Sequence, residues 1–206
     1  MSEATHTVLE DNSRLSKVDS HFSKLESKLA LIGGVVIFTL VILSVINILG
    51  RWLFNLPVNG YIDWVEQSIA FFAFLGIAFT QRLGAHIRMD ILLSRLKGRA
   101  LWLLELITVV LVLPLIIFLI YGSYLHFFRA YSIGDTSFDI DLPTWPAKLV
   151  VPIALSFLVI RIIIQILGYI RAIKKDTDKP IAVPLIEDAS TVATKEAENI
   201  FHEKLK

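Results

Sequence analysis

The chain has 206 residues, 55% of them hydrophobic, a net charge of +1 and no cysteine. A near-neutral balance excludes a global field that would draw it to nucleic acid, and the missing cysteines exclude disulfides, thiolate metal sites and a cysteine nucleophile. So apolar a composition argues for a membrane chain. Four long apolar stretches take up most of the length, and two tails and three connections are too short for a second folded domain.

Residues 1–28 read as a tail carrying an amphipathic helix. Leu15, Val18, Phe22, Leu25 and Leu29 recur at spacings of 3, 4, 3 and 4, which lays one apolar stripe on a helix. Asp11, Asn12 or Ser13 can cap its start, and Lys17, Lys24 and Lys28 lie off the stripe. The pattern predicts an interfacial helix on the membrane surface; docking on a partner is the other reading of the stripe. No secretory signal is expected, because the first apolar run is too long for a signal core.

Leu29–Gly50 is 22 residues without a charge. About 20 apolar residues in a helix cross the ~30 Å hydrocarbon core, and a helix satisfies its own backbone there. A tight turn follows with Asn55, Pro57, Asn59 and Gly60, and the second stretch carries Asp63 and Glu66 in its first two turns. After it comes His86-Ile87-Arg88-Met89-Asp90, in which Asp90 can cap a short helix and Arg88 suits a lipid phosphate. The third stretch contains Pro114, expected to kink it, and ends among Tyr121, Tyr124, Phe127, Phe128 and Tyr131. A polar loop, Ser132–Pro146, leads to the fourth. The fold class is therefore an all-α integral membrane protein with four transmembrane helices. Residues 29–172 form the membrane domain, with spans at about 29–50, 62–82, 101–127 and 147–170, and residues 173–206 form a C-terminal tail. Thr191–Lys206 reads as a short charged helix or as disorder.

Thirteen Lys and Arg in residues 14–28, 82–99 and 171–179 flank the spans on the side of both tails and the middle connection, against Arg51, Arg129 and Lys148 on the other. Such an excess marks the cytoplasmic side, so both termini are expected in the cytoplasm. Trp52, Trp64, Trp102 and Trp145 each fall at a span end, where an indole suits the headgroup region, so all four are expected as interface anchors.

Few residues carry chemistry. No paired ligands for a haem, no Walker-type lysine loop and no Gly-x-Ser-x-Gly occur, so neither an enzyme nor a cofactor is expected. Arg161 lies about 14 Å inside the fourth span, where a charge costs at least ~2.5 kcal/mol unless it snorkels or pairs. Glu105 in the third span is the candidate partner; contact with another subunit and a direct role in moving substrate are the other readings. Arg51 and Glu66 are expected to bridge across the first turn, with Asp63 competing. Spans one and three offer almost nothing polar at depth, which speaks against a chain that transports alone.

The ordered motifs add a resemblance. Arg51 closes the first span; then come Asp63-Trp64-x-Glu66, Phe74-Leu75-Gly76-Ile77-Ala78, Arg82-x-x-x-His86-Ile87-Arg88-Met89-Asp90, Leu142-Pro143-x-Trp145 and Val151-Pro152-Ile153. Across roughly residues 30 to 172 this resembles the small membrane subunit, DctQ-like, of tripartite ATP-independent periplasmic (TRAP) transporters. The resemblance implies a bacterial inner-membrane subunit that braces a large multi-span membrane subunit. A periplasmic binding protein would deliver an organic acid or related small solute, and a sodium or proton gradient would drive import. Arg51, Glu66, Glu105, Arg161, His86, Arg88 and Asp90 are then structural or subunit-interface candidates, and lipids and the other subunits are the partners. A standalone four-span channel or small transporter, forming its own oligomer, is the alternative.

Overall fold

A computed structural model describes residues 14–83 and 99–175. Its regular structure is helical, apart from one isolated bridge between Thr136 and Pro143. The helices are α1 (Arg14–Phe54), α2 (Tyr61–Leu75), α3 (Ile77–Leu83), α4 (Arg99–Ile133) and α5 (Trp145–Lys175). Gly76 separates α2 from α3, but it keeps a right-handed helical backbone and its carbonyl takes both the amide and the hydroxyl of Thr80, at 2.9 and 2.7 Å. The two helices therefore act as one span. With α1, α4 and α5 they make four spans long and apolar enough to cross a membrane. The expectations for His86, Arg88, Asp90, the Asp11–Ser13 cap and the C-terminal tail lie outside the described residues.

The amphipathic stretch and the first span are one helix. α1 is 41 residues long, about 61 Å at helical rise and twice the hydrocarbon thickness. The change of pattern at residue 28 marks a change of surroundings, not an end of the helix, since no proline or capping turn interrupts it. The ring contact, ion pairs and groove that residues 17–26 form with α5 all fall between Phe157 and Ile164. So short a stretch of contact means that this part of α1 crosses α5 and does not run alongside it.

The spans form a row, not a closed bundle. α1 packs on α2 and α3, these pack on α5, and α5 packs on α4; α1 and α4 touch at most marginally. α5 is the central member: 44% of its most apolar window is buried, against 6% for α1. Its sequence accounts for this. Leu155, Leu158, Ile162, Gln165, Tyr169 and Ala172 are all buried and repeat at alternating spacings of 3 and 4, the spacing of a packing seam between nearly parallel helices. Trp102, Val109 and Ile116 of α4, seven residues apart, answer it. Lipid is as apolar as these side chains, so close packing and polar ties hold the row together. α4 runs unbroken through Pro114.

Candidate functional site

Two polar clusters tie this row together, one at each end. The first surrounds Arg161. A second stripe of α5, with Ala154, Arg161 and Ile164, is turned away from α4. Arg161 is fully buried there; its Nη1 donates to Asp19 Oδ1 of α1, and its Nε lies 3.8 Å from Glu26 Oε1. Glu26 Oε2 also lies 3.6 Å from Arg82 Nε of α3. Arg82 donates to Ser27 Oγ at 3.2 Å and stacks over the Phe79 ring at 4.9 Å. One turn along α5 from Arg161, Gln81 and Gln165 exchange hydrogen bonds. Gln81 Nε2 donates to Gln165 Oε1 (2.9 Å), and Gln165 Nε2 donates to the Gln81 carbonyl (3.1 Å). Two cations face two carboxylates, so the cluster is neutral as a unit. That balance lets charge sit at a depth where a lone ion would be costly.

Asp19 and Glu26 are two helical turns apart and share a face. This polar face of α1 is buried, while Val18 and Leu25 of the apolar stripe remain 55% and 40% exposed. In a soluble protein the faces would be reversed; a membrane or a protein partner suits this one.

The second cluster joins α2 to the loop before α5. α2 begins after Gly60, whose φ of +66° lies in the left-handed region. A Cβ there would stand 2.6 Å from Ile140 Cδ1, so only glycine fits. Asp63, in the first turn, is buried. Its Oδ2 accepts from Ser137 Oγ (2.6 Å), Asp139 N (3.1 Å) and Ile140 N (2.9 Å). Ser137 Oγ in turn accepts from Leu142 N at 2.9 Å. Gln67 Nε2 donates to the Pro143 carbonyl at 3.0 Å, and Lys148 pairs with Asp135 at 3.2 Å. The loop is thus strapped from below, and Phe138 stands fully exposed on it.

Several sequence expectations change on this geometry. Arg161 does not pair with Glu105. Glu105 accepts from the Tyr169 hydroxyl at 2.8 Å, and Tyr169 is eight residues beyond Arg161, about 12 Å along α5. Arg51 and Glu66 are both exposed and form no ion pair with each other. Gly33 lies beside Phe72, and Ser44 Oγ meets Tyr61 Oη at 2.9 Å, which sets Glu66 level with Thr39. That is about twelve residues, ~18 Å, from Arg51. Asp63, the other expected partner of Arg51, faces the loop instead. Trp52 and Trp64 are exposed, and Trp145 packs edge-on against Tyr131 with centroids 5.9 Å apart. Trp102 is buried against Tyr169, centroids 6.2 Å apart, so its indole belongs to the α4–α5 seam. Asp19, Glu26, Gln81 and Gln165 were not among the residues expected from the sequence. The one signal for them was two acids seven residues apart, opposite the apolar stripe of an otherwise basic segment.

One cluster ties helix to helix and the other ties α2 to the loop before α5; the chain is a multi-pass membrane protein whose buried polar residues organise its own spans. Residues 40–172 match the family model described as "Tripartite ATP-independent periplasmic transporters, DctQ component". The chain belongs to that family, and it is the small membrane subunit of a TRAP transporter, a transport component that associates with other parts of such a system. No curated protein matches it.

Proposed function

We propose that this subunit braces the static part of a TRAP transporter that imports an organic acid or related small solute across the bacterial inner membrane. A large multi-span membrane subunit carries the substrate path, a periplasmic binding protein delivers the solute, and an ion gradient drives import. Both termini of the small subunit face the cytoplasm. The observation that carries this reading is the open row of spans. A row presents broad apolar faces, and its two buried polar clusters tie its own helices and loop together. A transport domain that moves across the membrane needs a fixed counterpart, and a slab of four helices enlarges that counterpart. The strapped loop around Phe138 offers a firm surface on the side assigned to the binding protein.

The test is affinity purification of the tagged chain at native expression in mild detergent, with partners identified by mass spectrometry. A much larger multi-span protein recovered at one-to-one ratio supports the proposal. Recovery of the chain alone, or as a homo-oligomer, overturns it in favour of a standalone channel.

A further inference from the structure

The cluster around Arg161 sorts the charges of α1. Between residues 15 and 28 the chain has two acids, Asp19 and Glu26, and three lysines, Lys17, Lys24 and Lys28. Both acids are buried against Arg161 and Arg82, and all three lysines are exposed. A segment of mixed charge therefore presents only cations outward.

Beside these cations, where α1 crosses α5, lies an apolar groove of about 450 Å³. Val18 and Phe22 form one wall and Ile160 and Ile164 the other, with Lys17 and His21 at its rim. His21 Nδ1 lies 3.0 Å from the Lys17 carbonyl, so it carries a hydrogen and donates, which fixes the ring at the rim. Arg161, beside the groove, is sixteen residues along α5 from Trp145, about 24 Å. With Trp145 at one headgroup boundary, a ~30 Å core leaves Arg161 about 6 Å short of the other, within the hydrocarbon but in reach of a lysine that snorkels to the headgroups.

We propose that this groove binds an anionic phospholipid, with an acyl chain between Phe22 and Ile164 and the phosphate on the Lys17 ammonium. Charge complementarity selects the occupant: an apolar slot within the hydrocarbon, with a lysine at its rim that reaches toward the headgroups, matches an acidic lipid better than a zwitterionic one. The assignment rests on the membrane-spanning fold alone and holds whatever protein partner the chain has.

The full chain, purified in detergent, is titrated with phosphatidylglycerol and with phosphatidylcholine of the same acyl chains, and bound lipid is counted by native mass spectrometry. Phosphatidylglycerol is expected to be retained preferentially. Lys17→Gln should weaken it roughly fivefold, the size expected for one cation near an anionic surface, and leave phosphatidylcholine unchanged. Lys28→Gln, exposed on the same segment but outside the groove, should have little effect. Val18→Trp, which fills the groove from an exposed position, should reduce retention of both lipids. Equal retention of the two lipids overturns the proposal, as does a Lys28→Gln effect equal to that of Lys17→Gln. If Val18→Trp leaves binding intact, the lysines act as a general basic surface and the groove assignment fails. Displacement of the lipid by an equal amount of inorganic phosphate would also overturn it.

Discussion

Arg161 and Asp19 are 142 residues apart in sequence, yet their side chains pair directly and both are buried. The contact fastens the first turns of α1 across the central helix. Breaking a buried pair by removing one partner typically costs about 3–5 kcal/mol, because the remaining charge is left uncompensated. Asp19→Leu and Arg161→Leu should each lower stability by that order, measured by unfolding in detergent. The double variant retains the opposed charges of Glu26 and Arg82, 3.6 Å apart, and should recover most of the loss. A double variant no better than either single one would show that the two residues are not coupled.

The Gln81–Gln165 exchange is a neutral tie at the same level. Interhelical hydrogen bonds within membranes average about 0.6 kcal/mol and reach about 1.7. Gln165→Leu removes both bonds and also leaves the Gln81 carbonyl without that donor. The expected loss is about 1–2 kcal/mol, well below that of the Arg161 variants, in the same unfolding measurement. A loss as large as theirs would mean that Gln165 supports the charge cluster itself.

How much of this was legible in the sequence differs from element to element. The four spans were, because a run of about 20 apolar residues matches the hydrocarbon thickness, and soluble cores seldom call for one so long. The row was not, since lipid and neighbouring helices accept the same side chains, and only the 3–4 alternation along Leu155–Ala172 separates the seam from the lipid face. The cost of Arg161 at depth was readable, but its partners were not. A search among the spans leads to Glu105, whereas Asp19 and Glu26 arrive from a segment outside the apolar run, carried over α5 by a helix that does not stop at Lys28. The packing of Trp102 was not legible for a related reason: an indole suits both an interface and a core, and its partner Tyr169 lies 67 residues away.

The proposed orientation is testable because the chain has no cysteine. Single cysteines at Phe138 and Lys28, both exposed positions, serve as reporters for a membrane-impermeant maleimide. With both tails cytoplasmic, the Phe138→Cys variant labels in intact cells after removal of the outer membrane, and Lys28→Cys labels only after the inner membrane is permeabilised. The reverse pattern would invert the topology.

Asp63 is the support on which the loop of residues 135–144 rests. One carboxylate oxygen holds Ser137 Oγ and the amides of Asp139 and Ile140, and Gly60 leaves the space that Ile140 occupies. Asp63→Ala removes all three acceptor contacts at once. The amides of Asp139 and Ile140 should then exchange with solvent about tenfold faster or more, as expected when hydrogen bonds to a charged acceptor are lost. Gly60→Ala should reach the same loop by a different route. It keeps the carboxylate but places a methyl on Ile140 at a left-handed φ of +66°. Both variants should leave exchange within the α4–α5 seam unchanged, because neither residue packs there. Hydrogen–deuterium exchange of residues 135–144 against 155–172 separates the outcomes. Acceleration confined to the loop would establish Asp63 as its anchor, and unchanged loop exchange in Asp63→Ala would show that the Gln67–Pro143 and Lys148–Asp135 contacts hold it without Asp63.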